Sequence, residues 1–238
     1  MKPTTAAGQA GQPGVSGAAD ALLDALWERG LILLGDRVRE EYALHTPIFI
    51  DLRHKLYDDV GLLSNVGAAL HRKLVEVVAG EGTRDQPQQP QQVIGIPDTA
   101  TPLALAAAMA ARTTTTPLFY GQMRKQPAAY PGGESGVSSY MGTCDSNREI
   151  TLIDDVMASG RTKLWAMDEL KKDGLEIKRI LVVVDREQGG DEILAGKGVP
   201  TYSLYRVSEV IAYYRDTGRV DVETARLAIE HLRSKRFC

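Results

Sequence analysis

The chain has 238 residues, of which 43% are hydrophobic and 25% are charged, and its formal net charge is -3. These values are typical of a globular protein that is long enough to bury a sizeable core. The small net charge argues against a general binder of nucleic acid or of membrane surfaces, so neither partner is expected. The two cysteines, Cys144 and Cys238, lie far apart and suggest neither a disulfide framework nor a metal cluster.

The chain also lacks the usual sequence signals for a membrane or for export. No apolar stretch approaches the roughly 18 residues that a membrane-spanning helix needs. The N-terminus has no apolar core of the kind found in signal peptides. We therefore expect a protein of the cytoplasm.

The N-terminal region predicts a tail followed by a helix. Residues 1–17 are rich in Gly, Ala, Thr, Gln and Pro and show no apolar periodicity, which predicts a disordered tail. From Ala18 onward, the apolar residues between Leu22 and Trp27 fall on one helical stripe, which predicts an amphipathic helix.

A strand and a second helix are predicted next. The segment TPIFIDLR (46–53) has the β-branched and aromatic residues of a strand, and Asp58 or Asp59 can cap the helix that follows. We expect the elements within 18–60 to form a small hood, and residues 18–238 to form a single domain.

Strands and helices alternate through the rest of the chain. The Gln- and Pro-rich segment 80–92 predicts a surface loop. The predicted strands are residues 93–96, 117–120, 150–153, 179–185 and 201–205. The predicted helices are residues 101–112, 162–174 and 191–196, with two more opened by Ser208 and Asp221. Runs such as ILVVV do not alternate with polar residues, which is typical of parallel strands buried on both faces. The pattern therefore predicts the α/β class, with a doubly wound, mainly parallel sheet flanked by helices.

Two adjacent carboxylates, Asp154 and Asp155, close one of these apolar strands. Two like charges at the end of a buried strand are costly unless a ligand or hydroxyl donors compensate them. A loop of small residues follows at the start of a helix, where backbone N–H groups and the helix dipole favour a phosphate. This loop consists of Ala158, Ser159, Gly160, Arg161 and Thr162.

The acids cannot serve a phosphate, because they would repel it, so they are expected to face sugar hydroxyls of the same ligand. The alternative is an acid pair that only caps the next helix. The combination resembles the 5-phosphoribosyl-1-pyrophosphate (PRPP) signature of type I phosphoribosyltransferases. That resemblance implies that Asp154 and Asp155 hold the ribose hydroxyls and stabilise positive charge developing on the ribose, while the loop 158–162 binds the 5-phosphate. The spacing of a Walker motif is absent.

Four further segments, in order within residues 22–215, are similar to those of orotate phosphoribosyltransferases. They are TPIFIDLR (46–53), VIGIPDTATPLA (93–104), MRKQPAAYPGGESG (123–136) and VVVDREQGG (182–190). The resemblance implies that Thr99 lies in a loop that meets the pyrophosphate and that Arg124 and Lys125 belong to a flexible catalytic loop. It also implies that Arg186 holds the orotate. The alternatives are a solvated surface pair at 124–125 and a helix-end counter-ion at Arg186.

The chain departs from the family pattern in that loop and in the hood. Ala128 stands where the family has a second lysine, Tyr130 where it has a histidine, and Gln126 where it has an acid, while Pro127 stiffens the loop. In the hood, Glu41 falls on the lysine that the family places beside orotate. The PRPP side thus matches the family better than the base side does.

These departures leave three interpretations open. The first is PRPP-dependent transfer of a phosphoribosyl group to a planar anionic base, with orotate the leading candidate. The second is the same transfer to a different acceptor, and the third is a non-catalytic relative that binds PRPP or a nucleotide. The resemblance further implies Mg²⁺ held mainly by the pyrophosphate, without a metal site built by the protein, and a homodimer.

Overall fold

A computed structural model of the chain describes residues 20–81, 89–113, 118–129, 137–143, 145 and 147–237. Several sequence predictions lie outside the described residues. They concern the tail over 1–17, the segment 130–136 with Tyr130, and the cysteines Cys144 and Cys238.

The hood is formed by four short elements. They are α1 (Ala21–Glu28), β1 (Ile32–Leu34), α2 (Asp36–Tyr42) and β2 (Ile48–Ile50). Asp20 caps α1 by accepting hydrogen bonds from the backbone of Leu22 and Leu23. β1 pairs with β2 in an antiparallel two-stranded sheet. The predicted helix and strand are present, but the sequence analysis missed β1 and α2, because three apolar residues are too few to show a period.

The long helix α3 (Val60–Glu81) connects the hood to the main sheet. Its start is capped by Asp59, whose Oδ1 accepts a hydrogen bond of 2.9 Å from the backbone of Leu62, as the sequence predicts. The buried residues of α3 follow helical spacing and include Leu62, Val66 and Leu70.

The main sheet has six strands in the order β5-β4-β3-β6-β7-β8. The strands are β3 (Gln91–Gly95), β4 (Leu118–Ala129), β5 (Val137–Met141), β6 (Glu149–Met157), β7 (Ile177–Asp185) and β8 (Thr201–Arg206). The helices that follow α3 are α4 (Ala100–Ala110), α5 (Arg161–Lys172), α6 (Gly190–Ala195), α7 (Val207–Asp216) and α8 (Val222–Ser234). All neighbouring strands are parallel except β4 and β5. The predicted doubly wound, mainly parallel sheet is confirmed.

The prediction of a surface loop over 80–92 is wrong at both of its ends. Helix α3 continues to Glu81, and strand β3 already begins at Gln91. Gln91 and Gln92 are buried, because their amides have partners inside the protein. Gln91 Oε1 accepts from Arg179 at 2.8 Å, and Gln92 Nε2 donates to the hydroxyl of Tyr140. Buried hydrogen bonds thus allow polar residues in a central strand.

The first half of the segment predicted as a flexible loop is a strand in the structure, and its second half lies outside the described residues. Residues 123–129 belong to β4, in which Met123, Ala128 and Ala129 pair with β5, a strand that the sequence analysis missed. The register shifts between Met123 and Ala128, so the hairpin contains a bulge or irregularity.

One of the two predicted starts of the C-terminal helices is corrected. Asp221 does cap α8, since its Oδ1 accepts from the backbone of Thr224 at 2.7 Å. Helix α7 is not opened by Ser208 but begins one residue earlier, after Arg206. The backbone N–H of Arg206 donates to Glu209 at 3.0 Å, and that of Ser208 donates to Glu187 at 2.8 Å.

The hood and the main sheet share one hydrophobic core. Leu26 and Leu31 of the hood belong to the same cluster of buried residues as Val93 of β3 and Val182 of β7. This shared core holds the hood over the carboxyl ends of the parallel strands. No helix in the described part of the chain is both long and apolar enough to cross a membrane.

Candidate active site

A cavity of about 990 Å³ opens where β3, β6 and β7 end, beneath the hood. Its walls include residues 97–99 after β3, residues 154–156 and 158–163 from β6 into α5, and Arg186 after β7. Hood residues between Arg53 and Asp58 close the other side. Ligands of open α/β sheets bind at this edge, so the cavity is the candidate site.

Asp154 and Asp155 lie near the end of β6, and both line the cavity although they are only 5% and 7% exposed. Asp154 Oδ1 accepts from the backbone N–H of Asp155 at 2.9 Å, and Asp155 Oδ1 accepts from that of Val156 at 2.7 Å. Burial, together with the neighbouring Asp154, raises the pKa of Asp155 to about 7. A ligand that brings hydroxyl donors or positive charge would favour the ionised form of Asp155.

Asp154 and Asp155 differ in the cationic side chains that lie near them. Lys163 of α5 places its Nζ 2.5 Å from Asp154 Oδ2 and donates to the carbonyl of Val156 at 2.5 Å. Asp155 Oδ2 lies 3.9 Å from Nε of the exposed Arg53. Asp154 is therefore paired inside the protein, whereas Asp155 remains open to the cavity.

The predicted phosphate loop lines the cavity along its whole length, from Ala158 to Thr162. Helix α5 begins at Arg161, so the loop includes N–H groups of the first turn that have no partner within the helix. Gly160 has φ +73°, and a Cβ there would lie 3.2 Å from the carbonyl of Gly190. Glycine is required at this turn, and the loop presents donors suited to a phosphate.

The loop between β3 and α4 forms a second wall of the cavity. Pro97, Asp98 and Thr99 line the cavity. The carbonyl of Thr99 accepts a hydrogen bond of 2.6 Å from the hydroxyl of Tyr57, which ties this loop to the hood. Burial, with the nearby Asp155, raises the pKa of Tyr57, so its hydroxyl remains a donor at neutral pH.

Lys125 reaches the cavity from β4, where its Nζ lies 3.4 Å from Asp98 Oδ2. Arg124 is not among the residues that line the cavity, so its place in the site stays a prediction. Neighbouring residues of a strand point to opposite faces of the sheet, so only one residue of the pair can face a given side.

Arg186 follows β7 and is held by its backbone, which donates to the carbonyl of Met157 at 2.9 Å. Its half-buried side chain lines the cavity, and its Nε has no hydrogen-bond partner among the described residues. Burial lowers the pKa of this guanidinium. An unpartnered cation in this position favours an anionic group of a ligand.

Glu41 does not line the cavity. Its carboxylate is 2.5 Å from Lys55 and 3.2 Å from Arg37 within the hood. The hydrogen bond from Lys55 lowers the pKa of Glu41. The reversed charge at this position is thus compensated by ion pairs of the hood.

Comparison with known proteins agrees with this geometry. No family model matches the chain. The orotate phosphoribosyltransferase of Rhodopseudomonas palustris is 31% identical over 150 residues, which are 63% of this chain and 77% of that protein. The enzyme of the same name from Aquifex aeolicus is 26% identical over 163 residues, which are 68% of this chain and 80% of that protein.

The chain belongs to the orotate phosphoribosyltransferase family. Among solved structures, the orotate phosphoribosyltransferase of Mycobacterium tuberculosis in complex with PRPP superposes with a TM-score of 0.54 at 19% identity. The match covers 81% of this chain and 93% of that one. This likeness confirms the type I phosphoribosyltransferase fold.

Within this orotate phosphoribosyltransferase family member, the sequence analysis missed Lys163, Arg53 and Tyr57. A signal for Lys163 was available, because it shares the buried stripe of α5 with Ala166 and Leu170 at spacings of three and seven residues. Arg53 and Tyr57 gave no such signal, since they reach the cavity only through the fold of the hood.

A magnesium ion, implied by the family, is compatible with the residues present only if the substrate supplies most of its ligands. The described part of the chain contains no group of three or more His, Cys, Asp and Glu residues that could hold a metal. The side chains of Asp98 and Lys125, which line the cavity after β3 and in β4, pair with each other.

Proposed function

We propose that this protein transfers the phosphoribosyl group of PRPP to orotate and releases orotidine 5'-monophosphate and pyrophosphate. The observation that carries the proposal is the single cavity that joins the phosphate loop of α5, the open carboxylate of Asp155 and the unpartnered guanidinium of Arg186. The relatives named orotate phosphoribosyltransferase support the same reaction.

The PRPP half of the cavity is assigned to the loops after β6 and β3. The 5-phosphate would accept hydrogen bonds from N–H groups of residues 158–162, assisted by the hydroxyls of Ser159 and Thr162. The pyrophosphate would lie against residues 97–99, within reach of Lys125. The PRPP complex of the M. tuberculosis neighbour supports this ligand.

The acid pair is assigned to the ribose. Asp155 would accept hydrogen bonds from the ribose hydroxyls, and its charge would stabilise the cation-like ribose ring as the bond to pyrophosphate breaks. Asp154 supports it through the hydrogen bond to the backbone of Asp155. Like charges side by side are costly without a ligand, but they are useful when positive charge develops opposite them.

The acceptor half is assigned to Arg186. Orotate carries a carboxylate, and a guanidinium can pair with a carboxylate through two parallel hydrogen bonds. The low polarity implied by the half-buried position strengthens such a pair. Arg186 would therefore select an anionic base over a neutral one.

Mg²⁺ would be held mainly by pyrophosphate oxygens, and when bound it would neutralise charge on the leaving group. Lys125 lines the cavity beside Asp98 and would offset this charge as the pyrophosphate departs. The non-catalytic interpretation is not favoured, since the relatives are named as transferases. A homodimer, expected from the resemblance, is part of the proposal.

The experiment is a screen of acceptors by pyrophosphate release. Protein, PRPP and Mg²⁺ are incubated with orotate, uracil, nicotinate or no base, and pyrophosphate is measured. Among the bases tested, we expect only orotate to cause release of pyrophosphate. In Asp155→Asn we expect the rate of release to fall at least about 100-fold, because one lost electrostatic contact to a transition state has an effect of this order. Asp216→Asn, on the exposed end of α7, is the matched control. Release with another base and not with orotate would contradict the proposed acceptor.

A further inference from the structure

A buried lysine stands beside the reacting carboxylates. Lys163 is 3% exposed, while Lys171 and Lys172 at the other end of α5 are exposed to solvent. A lysine side chain is almost never fully buried unless it is paired, and its desolvation must be offset by strong contacts. The reason for this burial therefore has to lie in what Lys163 touches.

Its ammonium makes two contacts, and both fix the end of β6. Nζ lies 2.5 Å from Asp154 Oδ2 and donates to the carbonyl of Val156 at 2.5 Å. Asp154 Oδ1 in turn accepts the backbone N–H of Asp155 at 2.9 Å. Lys163 thus holds the residues on both sides of Asp155, without contacting the open side of its carboxylate.

We propose that Lys163 is a positioning residue that anchors the carboxyl group of Asp154 in an ion pair and thereby leaves Asp155 as the carboxyl group presented to the ribose of PRPP. The proposal rests on the proposed PRPP site and adds a division of roles between the two acids. Asp154 and Lys163 form a fixed ion pair, and Asp155 is the carboxylate that responds to the ligand.

The charges around Asp155 make the idea testable through pH. The groups that face it are Asp154 from β6, Lys163 from α5, and Arg53 and Tyr57 from the hood. The pKa of Tyr57 is raised, so its hydroxyl stays neutral between pH 6 and 9. Removing Lys163 leaves Asp154 and Asp155 side by side without a buried cation. Since Lys163 lowers the pKa of Asp155, that pKa would then rise further, and PRPP would lose its acceptor near neutral pH.

The test measures PRPP affinity by calorimetry between pH 6 and 9, which needs no acceptor base. In Lys163→Met we expect affinity to fall about tenfold at pH 7 and to return to within about threefold of wild type at pH 9, since one pKa unit corresponds to a factor of ten. Lys163→Arg, which keeps the cation, should retain the wild-type pH profile even if it is less stable. Lys171→Met, in the last turn of the same helix, should match wild type throughout.

A double variant is needed if Lys163→Met does not fold because the carboxyl groups of Asp154 and Asp155 repel each other. Asp154→Asn with Lys163→Met removes both charges, and its pH midpoint for PRPP binding should return toward that of wild type. An equal loss of affinity at every pH in Lys163→Met would show a merely structural role and overturn the proposal. So would a double variant that keeps the raised midpoint. Failure of orotate turnover alone would contradict the proposed function and leave this binding test intact, whereas wild-type protein that does not bind PRPP would overturn both.

Discussion

At the scale of single residues, the ionised carboxylate of Asp155 lowers the stability of the protein but is needed for the proposed function. This carboxylate is buried beside Asp154, and these two causes raise its pKa to about 7. Between about pH 4 and pH 7, the folded protein therefore keeps a proton on Asp155 that the unfolded chain has already released. It follows that the stability contributed by this group is present at low pH and is lost as the pH rises through 7.

Asp155→Asn should therefore stabilise the ligand-free protein more at pH 8 than at pH 5, where only part of this stability has been lost. We expect a gain of up to about 4 kcal/mol in the free energy of unfolding at pH 8, because the amide cannot ionise and a shift of about three pKa units corresponds to this amount. Thermal unfolding of both proteins at the two pH values gives the comparison. The buried Asp185, with its pKa raised to about 6 by burial, is present in both proteins and cancels. An equal difference at pH 5 and pH 8 would contradict the account.

Arg186→Ala should weaken the acceptor and leave PRPP affinity unchanged. A charge-assisted pair to a carboxylate contributes about 1.5 to 3 kcal/mol, which corresponds to a rise in KM for orotate of roughly 10-fold to 150-fold. Steady-state kinetics with orotate and calorimetry with PRPP separate the two ligands. Arg215→Ala, on the exposed side of α7, is the control. If PRPP and orotate weaken equally, the role of Arg186 is structural.

At the scale of secondary-structure elements, the sequence predicted the parallel strands well and the hairpin poorly. Long apolar runs such as the one in β7 have one reading, because only a strand covered on both faces suits them. The segment 123–129 has no such run, and its Gly- and Pro-rich continuation suggested a loop. Its strand character depends on pairing with β5, a contact that no local pattern encodes.

The hairpin also contains the clearest departure from the family, since Ala128 takes the place of a lysine. Ala128→Lys should raise the rate of orotate turnover by about tenfold, because an ammonium there would offset charge on the departing pyrophosphate. The rate is followed by the fall in orotate absorbance at saturating PRPP and Mg²⁺. Pro127→Ala is combined with it to release the backbone.

Ala128→Met is the matched control for that gain, because it has similar length and no charge. We expect it to leave the rate at the wild-type level. Fast turnover by the wild-type protein that Ala128→Lys leaves unchanged would mean that another cation serves this role, and Lys125 is the cation that already lines the cavity.

At the scale of the whole molecule, a buried charge network ties the sheet to α3 at the end opposite the cavity. Arg179 of β7 is 1% exposed and contacts Glu81 at 2.7 Å, Glu149 at 2.5 Å and Gln91 at 2.8 Å. From the sequence alone, Arg179 was only a polar residue at the start of the predicted strand 179–185. The network could not be predicted, because its members come from four separate elements, α3, β3, β6 and β7, which meet only in the fold.

Arg179→Ala should destabilise the whole protein without altering the site. Breaking a buried ion pair from one side costs about 3 to 5 kcal/mol, since the carboxylates of Glu81 and Glu149 lose their cation. We expect one unfolding transition with a melting temperature lowered by about 6 to 15 °C, consistent with our proposal of a single domain. Calorimetric scans test this, with Arg226→Ala on the exposed face of α8 as the control. Two separate transitions would contradict the single domain.

The sequence predicts those parts of the site that are contiguous in the chain, but not those that depend on packing between distant elements. Asp154, Asp155 and the loop 158–162 are contiguous, so their chemistry was readable from the chain alone. Lys163, Arg53 and Tyr57 were not assigned, because their roles depend on how α5 and the hood pack against β6. Arg124 and Lys125 were assigned to the site together, through the resemblance of their segment to the family's flexible loop, and in the structure only Lys125 lines the cavity.

The most direct measurement of the central claim is the decrease in orotate absorbance on addition of PRPP and Mg²⁺ to the wild-type protein, with pyrophosphate measured in the same sample. If the protein transfers the phosphoribosyl group of PRPP to orotate, orotate disappears only when PRPP is present and one pyrophosphate appears for each orotate consumed. Asp155→Asn then abolishes both signals. Tight binding of PRPP without any loss of orotate or release of pyrophosphate would contradict it, and would identify the cavity as a binding site without transfer activity.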